Sequence, residues 1–571
     1  MQKFNLNPMF LKDFYKADHN SQYPIGLELL YSNFTPRSDK LAQKLDGIYE
    51  GKVVVAGFQG FCKSILIEMF NENFFNKTKE EVVQEYKSVV DEALVTDMDC
   101  THIEELHDLG YLPVKIKALP EGSLAPVKVP VLTIQNTHPN FAWLVNYLET
   151  LLSASNWKAI NTATIAWQYR KLLQQFAIKT GSPLDFVMWQ GHDFAFRGQS
   201  GWQDAMTSSV GHQFSFLGTD TVPVIPYMKH YYGDKNTFVG GSVPASEHSV
   251  ASANIAAIVS KLEREGFVVP EGSNIKLEAE KIFFGRYISE IYPSGVCSYV
   301  ADTYNFWDVI TEVAIANKDK ILARTENALG LSKVVFRPDS GDPVKIICGY
   351  KIWDSDASVA IDRYELAVEG YEVIKSNNKY YLIDFIYEND YDGPYLATYH
   401  LGKQIRKEEA EGAIQTLWNI FGGTLTSTGH KLLNSKVGLI YGDSITLKRA
   451  QQILETLAEN GFASANVVFG IGSFTYQYNT RDSFGMAMKA TYCKVDGEPL
   501  ELFKDPVTDS GTKKSAKGLL RVEKINGEYK LFDQQTPEQE AQGELKVIFE
   551  NSQMLVDETL DVIRQRINES L

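Results

Sequence analysis

The chain has 571 residues, of which 44% are hydrophobic and 22% are charged, and its formal net charge is -16. This length and composition support a large core in two or three domains and argue against disorder. Because an acidic chain repels nucleic acids and anionic membranes, we expect neither as a partner.

The cysteines and the amino terminus bear on the compartment. The five cysteines are far apart and form no C-x-x-C pair, which predicts buried thiols in a reducing compartment. The first residues show no signal-peptide pattern, and no apolar run approaches the length of a membrane span. We therefore expect a cytoplasmic protein.

Residues 1–184 have the pattern of an α+β domain. Thr78 and Glu81 predict a capping box at the start of an amphipathic helix that runs to about Leu94. Apolar and polar residues alternate in YLPVKIKALP and VKVPVLTIQNT, which predicts two antiparallel strands. Two helical segments follow, FAWLVNYLETLL and IAWQYRKLLQQFAIK, and Gly181 is expected to end the second.

From about Asp185 the pattern becomes a strand, a polar loop and a helix, repeated along the chain. Repeated parallel strands with polar loops at their carboxyl ends predict a (β/α) barrel with its loops at one mouth. This barrel domain is predicted over residues 185–343 and 437–481. Its clearest units are GVCSYVADTYNFWDVI, SKVVFRPDSGDP, KVGLIYGDSITLKRAQQILETLAENG and ANVVFGIGS.

Two segments interrupt or follow the barrel pattern. Residues 344–436 include a predicted hairpin with an Asn-Asn turn, YEVIKSNNKYYLIDF, acid-rich YENDYDGP, and a predicted helix in RKEEAEGAIQTLWNIFGG. We interpret them as an insertion that forms either a surface subdomain or a lid over the mouth. Residues 482–571 return to sheet-like material, with a hairpin at an Asn-Gly turn, and are expected to pack on the N-terminal region.

Glycine-rich loops follow the last two predicted barrel strands, in YGDS and FGIGS. Such loops commonly bind phosphate through backbone N–H groups. Gly442, Gly472 and Ser473 are small enough to bring the backbone close to an anion, and Arg481 beyond them can supply a charged fork. Asp443 is suited either to receive sugar hydroxyls or to cap the helix that starts near Thr446.

Two further loops carry groups suited to catalysis. Arg337 and Asp339 are two residues apart after an apolar run, so they either face a shared pocket or form a surface ion pair. His248, in SVPASEHS, suits a phosphate donor, a base or a structural residue. The chain has no HExxH or CxxC motif, so a tightly held protein-ligated metal is not expected. It also lacks the G-x-x-x-x-G-K-[ST] motif of P-loop NTPases and the G-x-S-x-G motif of α/β-hydrolases, so neither class is expected.

Several of these motifs, in this order, resemble those of the nicotinamide phosphoribosyltransferases, a type II phosphoribosyltransferase family. The resemblance covers almost the whole chain and fails over the insertion. It implies a barrel-like phosphoribosyltransferase domain packed with an α+β domain built from the N-terminal and C-terminal segments. The motifs are LKDFYKADHNSQYP, HDFAFRG, GTDTV, SVPASEHS, RPDSGDP, YGDS, NTRD and LFKDPVTDS.

The resemblance also implies the reaction and its cofactors. The family makes nicotinamide mononucleotide and pyrophosphate from nicotinamide and phosphoribosyl pyrophosphate, with Mg²⁺ held mainly by the substrate. ATP phosphorylates the catalytic histidine, without being essential, and the enzyme is a homodimer with shared active sites. Two alternatives stay open: a nicotinate phosphoribosyltransferase, and a non-catalytic binding or signalling protein on the same fold.

The roles of single residues are implied in the same way. Phe194 resembles the ring that stacks on nicotinamide, and Tyr15 of a second subunit, preceded by the matching acid Asp13, is its partner ring. The implied catalytic residues are His248, which is phosphorylated, Arg337 and Asp339. Further implied substrate contacts are Arg197, Asp220, Ser242, Ser298, Pro338, Gly442, Asp443, Gly472, Ser473 and Arg481, with Arg37 and Lys489 as pyrophosphate contacts. Ser473 stands where the family usually has glycine.

Asp220 is expected to select the base, because its counterpart accepts a hydrogen bond from the amide of nicotinamide. A nicotinate carboxylate would meet a like charge there. At ~4 Å and an effective dielectric of about 20, this repulsion costs about 4 kcal/mol. If Asp220 is instead a solvated turn residue, the choice of base stays open.

Overall fold

The computed structural model describes residues 5–328, 330–356, 363–390, 393–503 and 516–571. The chain forms two compact units. The first unit contains Met1–Lys171, Ala195–Gly240 and Tyr476–Leu571, and the second contains Leu172–Phe194 and Gly241–Thr475. Both units combine helices with sheets, which confirms the predicted α/β class.

The first unit is built on an antiparallel sheet that joins both ends of the chain. Leu27–Pro36 pairs with Met486–Val495 on one side and with Leu132–Asn136 on the other. The N-terminal and C-terminal segments therefore share one sheet. Its order is Glu498–Glu501, Met486–Val495, Leu27–Pro36, Leu132–Asn136, Val114–Ala118, Lys546–Glu550 and Gln553–Met554.

Smaller strands complete the first unit. Lys52–Val54 pairs with Leu124–Pro126, and Leu519–Ile525 forms a hairpin with Glu528–Gln535. The hairpin turns at Asn526 and Gly527, both with positive φ, as the Asn-Gly pair predicted. Gly218–Thr219 is a further short strand.

The helices of the first unit confirm two predictions, the helix Lys79–Leu94 that follows Thr78 and the end of a helix at Gly181. Gly181, at φ 66°, follows the helix Glu149–Thr180, as predicted. That helix is continuous over 32 residues, because Ala, Leu and Gln throughout it favour helix. Thr78 accepts the N–H of Glu81 at 3.2 Å, but the Glu81 carboxylate pairs with Lys77, so only half of the capping box forms.

The helical segments of the first unit are Pro8–Phe10, Phe14–Lys16, His19–Gln22, Phe58–Phe61, Cys62–Met69, Asn71–Phe75, Lys79–Leu94, Thr101–Leu109, Pro139–Phe141, Leu144–Tyr147, Glu149–Thr180 (which ends in the second unit), Phe196–Gly198, Trp202–Gln213, Val224–Tyr231, Arg481–Ser483, Pro537–Ala541 and Leu560–Asn568. Among the described residues, no helix is both long and apolar enough to cross a membrane.

Residues 195–240 lie in the first unit, whereas the sequence pattern placed them in the barrel domain. The reason is their packing. Val210, Phe214 and Val224 are buried in the same apolar cluster as Phe58 and Phe61 of the N-terminal region. The helices of these residues are therefore buried in the core of the first unit.

The second unit contains the predicted parallel strands. Five of them lie side by side, and every neighbouring pair is parallel. Their order is linear, so within the described ranges they form an open, barrel-like sheet and not a closed ring. The order is Gly191–Asp193, Val467–Ile471, Val437–Tyr441, Val334–Arg337 and Cys297–Val300.

The region predicted as an insertion belongs to the second unit. The expected hairpin joins Val373–Ser376 to Lys379–Asp390 through Asn377 and Asn378, both at positive φ. The helix expected after it is broken at Gly412, whose φ of 82° ends Lys407–Glu411 before Ala413–Phe421 begins. Part of YENDYDGP lies outside the described residues.

The remaining elements of the second unit are the strands Ile352–Asp354, Gly393–Ile405, Gly423–Leu425 and Lys431–Leu433, and the helical segments Leu184–Phe186, Val187–Gln190, His248–Arg264, Ile275–Arg286, Tyr287–Ile291, Phe306–Asp308, Val309–Val313, Ala314–Ala316, Lys318–Leu322, Pro343–Cys348, Arg363–Val368, Leu447–Glu459, Ser464–Asn466 and Ser473–Tyr476.

Candidate functional site

The carboxyl ends of the parallel strands bring several predicted site residues to one edge of the second unit. Arg337 is the last residue of its strand, and Gly442, Gly472 and Phe194 each directly follow theirs. Because neighbouring parallel strands end at the same edge, these four residues form the mouth of the sheet. His192 and Asp193, buried in the strand before Phe194, fix the start of that loop.

His248 opens the helix His248–Arg264 and is half-exposed beside an acid that sequence patterns did not single out. Its Nε2 lies 3.7 Å from Oδ1 of Asp302, and its Nδ1 lies 3.3 Å from the Thr303 hydroxyl. Asp302 follows the strand Cys297–Val300. That position, an acid after a barrel strand, is the signal that could have identified it.

Asp302 is a buried carboxylate that connects the histidine to the RPDS loop. Its Oδ2 accepts the backbone N–H of Asp339 at 3.0 Å and the hydroxyl of Ser340 at 2.7 Å. Its Oδ1 is buried and accepts no hydrogen bond from the residues described. The loop that carries Asp339 is thereby fixed next to the start of the histidine helix.

Arg337 and Asp339 face each other, as the two-residue spacing allowed. Arg337 Nε lies 3.4 Å from Asp339 Oδ2, and Arg337 Nη2 donates to the carbonyl of Ser246 at 3.1 Å. Burial raises the pKa of Asp339, as do the nearby carboxylates of Asp302 and Asp443, while Arg337 and His248 oppose the rise. The mouth thus combines one guanidinium with three acids.

Ser246 and Ser298 position the histidine loop against the sheet. The Ser246 N–H donates to the carbonyl of Ser298 at 3.0 Å, and the Ser246 hydroxyl accepts the N–H of Val300 at 2.8 Å. Ser298 is buried, and its hydroxyl oxygen has no hydrogen-bond partner within the described part of the chain. Of the other predicted contacts in these loops, Ser242 is exposed and Pro338 is buried.

Small residues allow Phe194 to approach the neighbouring strands. A Cβ added at Gly470 would overlap the Phe194 ring, and one at Gly442 would lie 2.9 Å from Asp339 Oδ1. By contrast, a Cβ at Gly472 would meet nothing closer than 4.0 Å. Gly442 and Gly470 therefore serve packing around Phe194, while the backbone at Gly472 is open to a ligand.

The structure answers the question about Asp443. Thr446 is the N-cap of the helix Leu447–Glu459, and its hydroxyl accepts the N–H of Arg449 at 3.2 Å. Asp443 is exposed and does not cap this helix. Ser473, in the next loop, begins the short helix Ser473–Tyr476.

A second group of predicted residues lies together on the first unit. Tyr15, Arg37, Arg481 and Lys489 line one cavity of about 370 Å³, together with Asp13. The Tyr15 side chain is 62% exposed, and Arg481 pairs with the adjacent Asp482 at 3.0 Å. The cavity therefore carries three cations and an exposed ring on the first unit, while Phe194 belongs to the second.

Arg197 and Asp220 also belong to the first unit. Arg197 lies in the exposed turn Phe196–Gly198, and Asp220 is exposed directly after the strand Gly218–Thr219. The carbonyl of Gly218 lies 2.9 Å from Nε2 of His212, whose Nδ1 lies 2.7 Å from the Tyr476 hydroxyl. This buried histidine fixes the strand that precedes Asp220.

The acids of the mouth have the chemistry to contact a Mg²⁺ ion. Carboxylate oxygens are donors that Mg²⁺ prefers, and the buried Oδ1 of Asp302 is one with no hydrogen bond of its own. In the ranges that the structure describes, no three His, Cys, Asp or Glu side chains form a group able to hold a metal by themselves. All five cysteines are buried free thiols.

Comparisons with known proteins cover the whole chain. Residues 189–553 match the nicotinate phosphoribosyltransferase (NAPRTase) family, and residues 7–116 match the nicotinamide phosphoribosyltransferase N-terminal domain. The LFKDPVTDS motif lies mostly outside the described residues.

Three similar proteins illustrate the match. A nicotinamide phosphoribosyltransferase of Acinetobacter baylyi is 50% identical over 569 residues, which is 100% of this chain and 98% of that protein. One of Mycoplasma pneumoniae is 28% identical over 90% of this chain and 95% of its own length. The crystal structure of human nicotinic acid phosphoribosyltransferase is 16% identical, with a TM-score of 0.47, and covers 98% of this chain and 93% of that one.

Proposed function

Because this chain belongs to the nicotinate phosphoribosyltransferase family, we propose a function within that family's chemistry. The enzyme transfers the phosphoribosyl group of phosphoribosyl pyrophosphate to nicotinamide, giving nicotinamide mononucleotide and pyrophosphate in NAD salvage. The observation that carries this conclusion is the full-length 50% identity to the Acinetobacter baylyi relative, supported by the match to the nicotinamide-type N-terminal domain.

Nicotinamide binding rests on a ring and an acid. Phe194, held close to Gly442 and Gly470, offers its face to a flat heterocycle. Asp220 accepts a hydrogen bond from the amide, which positions the pyridine nitrogen for attack on C1 of the ribose. The same acid disfavours nicotinate.

Pyrophosphate departure rests on cations. Cleavage of the C1–O bond builds positive charge on the ribose and negative charge on the leaving group. Arg337, fixed by Asp339 and the Ser246 carbonyl, and the exposed Arg197 stabilise that leaving group. Asp302, Asp339 and Asp443 would contact a Mg²⁺ ion bound with the substrate, or its waters, and that ion would supply further charge neutralisation.

The enzyme acts as a homodimer in this proposal. Tyr15, Arg37, Arg481 and Lys489 share one cavity on the first unit, so they contribute as a group. We place this group from one copy against the strand-end mouth of a second copy. Tyr15 then stacks on the face of nicotinamide opposite Phe194, and the cations approach the phosphates.

His248 is the residue proposed to receive a phosphoryl group from ATP. It is half-exposed at the start of a helix, where backbone N–H groups and the helix dipole favour an anion. A phosphohistidine there adds negative charge next to the site of magnesium pyrophosphate, which favours binding of that ligand. ATP improves the reaction without being required. The proposed location of the enzyme is the cytoplasm.

One incubation tests the function. The protein is mixed with phosphoribosyl pyrophosphate and Mg²⁺ and either nicotinamide or nicotinate, with and without ATP, and both mononucleotides and pyrophosphate are quantified. We expect nicotinamide mononucleotide and an equal amount of pyrophosphate. Product from nicotinate but not from nicotinamide would reassign the base. If no pyrophosphate is released with either base, only the non-catalytic alternative remains.

A further inference from the structure

Lys158 is a buried lysine with no assigned role. It lies on the helix Glu149–Thr180, and only 3% of its side chain is exposed. Its ammonium donates to the side-chain oxygen of Gln477 and lies 3.6 Å from Oδ2 of Asp204. Burial lowers the pKa of Lys158, and Asp204 opposes that effect.

The partners of Lys158 belong to two loops that also bond to each other. Gln477 Nε2 donates to the hydroxyl of Ser200 at 2.8 Å, and the Ser200 N–H donates to Asp204 Oδ2 at 2.9 Å. Lys158, Gln477, Ser200 and Asp204 thus form a closed ring of polar contacts. One turn along the helix, Asn161 donates to the carbonyl of Thr480 at 2.8 Å and extends this fixation toward Arg481.

Each loop carries an arginine assigned above to the polyphosphate. Arg197 is three residues before Ser200, and Arg481 is four residues after Gln477. Both arginines are exposed at the ends of segments that lack long secondary structure. A buried cation with a single carboxylate is a poor way to stabilise a fold, because its desolvation offsets the attraction. Joining the two loops is a role that justifies this arrangement.

We propose that Lys158 is a positioning residue that holds the loops of Arg197 and Arg481 in the geometry needed for phosphoribosyl pyrophosphate. The inference rests on the proposed function. Lys158 itself touches no substrate in this scheme. Its effect passes through Gln477 and Asp204 to the two arginines.

The test compares Lys158→Met with Lys171→Met. Lys171 lies on the same helix, is 17% exposed and pairs with Glu50, away from both loops. We expect Lys158→Met to raise KM for phosphoribosyl pyrophosphate by about tenfold, because small misplacement of positioning groups is costly. KM for nicotinamide stays unchanged, since neither Phe194 nor Asp220 belongs to the ring. Lys171→Met leaves both values unchanged.

A milder variant covers the case in which Lys158→Met folds poorly. Ser200→Ala removes only the hydroxyl that joins the loops, on an exposed residue. Ser200→Ala is expected to raise KM for phosphoribosyl pyrophosphate by about threefold. The double variant with Lys158→Met should raise this KM only slightly more than Lys158→Met alone, because the effects of contacting residues in one network are not additive.

The outcomes separate the inference from the proposed function. If the unmodified enzyme makes no nicotinamide mononucleotide, the proposed function fails. If it does, and KM for phosphoribosyl pyrophosphate in Lys158→Met and Ser200→Ala equals that of Lys171→Met, the positioning role is overturned. Equal increases in both substrates' KM would overturn it as well.

Discussion

The carboxylate of Asp302 lies 3.7 Å from Nε2 of His248 through one oxygen and accepts the N–H of Asp339 through the other. A single buried acid thus connects the residue proposed to carry a phosphoryl group with an acid beside Arg337. We therefore expect charge placed on the histidine to act, through Asp302, on the loop that carries Asp339.

Asp302→Asn is expected to weaken the use of ATP. The amide keeps the size of the side chain but loses the charge that orients the imidazole. The ratio of rates with and without ATP should fall toward one, while the rate without ATP falls by less than about tenfold. Initial rates at fixed substrate measure both quantities. Equal losses with and without ATP would show that Asp302 does not act through His248.

Gly470→Ala is expected to weaken nicotinamide binding although Gly470 touches no ligand in our proposal. Its new methyl group overlaps the Phe194 ring and must displace it. We expect KM for nicotinamide to rise by about tenfold, equivalent to ~1.4 kcal/mol. Gly472→Ala is the matched control, because its methyl group meets nothing closer than 4.0 Å. It should leave KM for nicotinamide unchanged, and any effect should appear in KM for phosphoribosyl pyrophosphate.

Asp220→Ser is expected to relax the choice of base. Removing the charge removes the repulsion of the nicotinate carboxylate, so the ratio of kcat/KM for nicotinate over nicotinamide should rise, by up to about a thousandfold. Steady-state kinetics with each base measure this ratio. An unchanged ratio would place Asp220 in a solvated turn, away from the base.

Glu280→Gln is expected to flatten the pH dependence of stability. Burial raises the pKa of Glu280 from 4.5 to about 7, and the Tyr299 hydroxyl donates to it at 3.1 Å. Because the folded pKa exceeds the unfolded one, the native state keeps this proton longer. Its stabilising contribution is full below about pH 4.5 and is lost as pH rises through 7, a change of about 3 kcal/mol.

Denaturant unfolding between pH 4.5 and 8 measures this effect. Glutamine still accepts the Tyr299 hydrogen bond, so the variant should fold and lose stability less steeply as pH rises. Burial also raises the pKa of Glu121 to about 7, so Glu121 makes a similar contribution to the fall of the unfolding free energy with pH. Part of this pH dependence should therefore remain in Glu280→Gln. If the free energy of unfolding falls equally with pH in Glu280→Gln and in the unmodified protein, the prediction is contradicted.

Mixed dimers test the shared site. Tyr15→Ala and Phe194→Ala chains are each expected to be nearly inactive, because each removes one face of the ring clamp. After subunit exchange at equal ratio, half the dimers are mixed and each has one intact site, so about a quarter of the original activity should return. No recovery, despite exchange confirmed by differently tagged chains, would place both rings in one subunit's site.

Residues at the strand ends were predictable from sequence. An apolar run followed by a polar, glycine-rich loop identifies a buried strand and places the loop at the carboxyl edge of the sheet. This held for Arg337, Gly442 and Gly472. Asp302 escaped notice because ADT alone resembles an ordinary turn. Lys158 escaped because its partners are 46 and 319 residues away, a separation that no local pattern encodes.

Sequence patterns grouped residues 195–240 with the barrel, whereas these residues lie in the first unit, because alternating strand and helix signals do not say which core buries a segment. Val210 and Val224 pack with the N-terminal region. Similarly, Gly412 looked like a helix interior residue, although its positive φ separates two helices. Local propensity identified the elements well, and tertiary packing decided their assignment.

The pairing of Leu27–Pro36 with Met486–Val495 sets the order in which the chain can fold. Leu30 faces Cys493 across this ladder, so the sheet of the first unit cannot close until nearly the whole polypeptide has left the ribosome. Such distant pairing slows folding and leaves strand edges exposed meanwhile. The five parallel strands, which end at Ile471, are synthesised before that step. All five parallel strands are therefore synthesised before the sheet of the first unit can close.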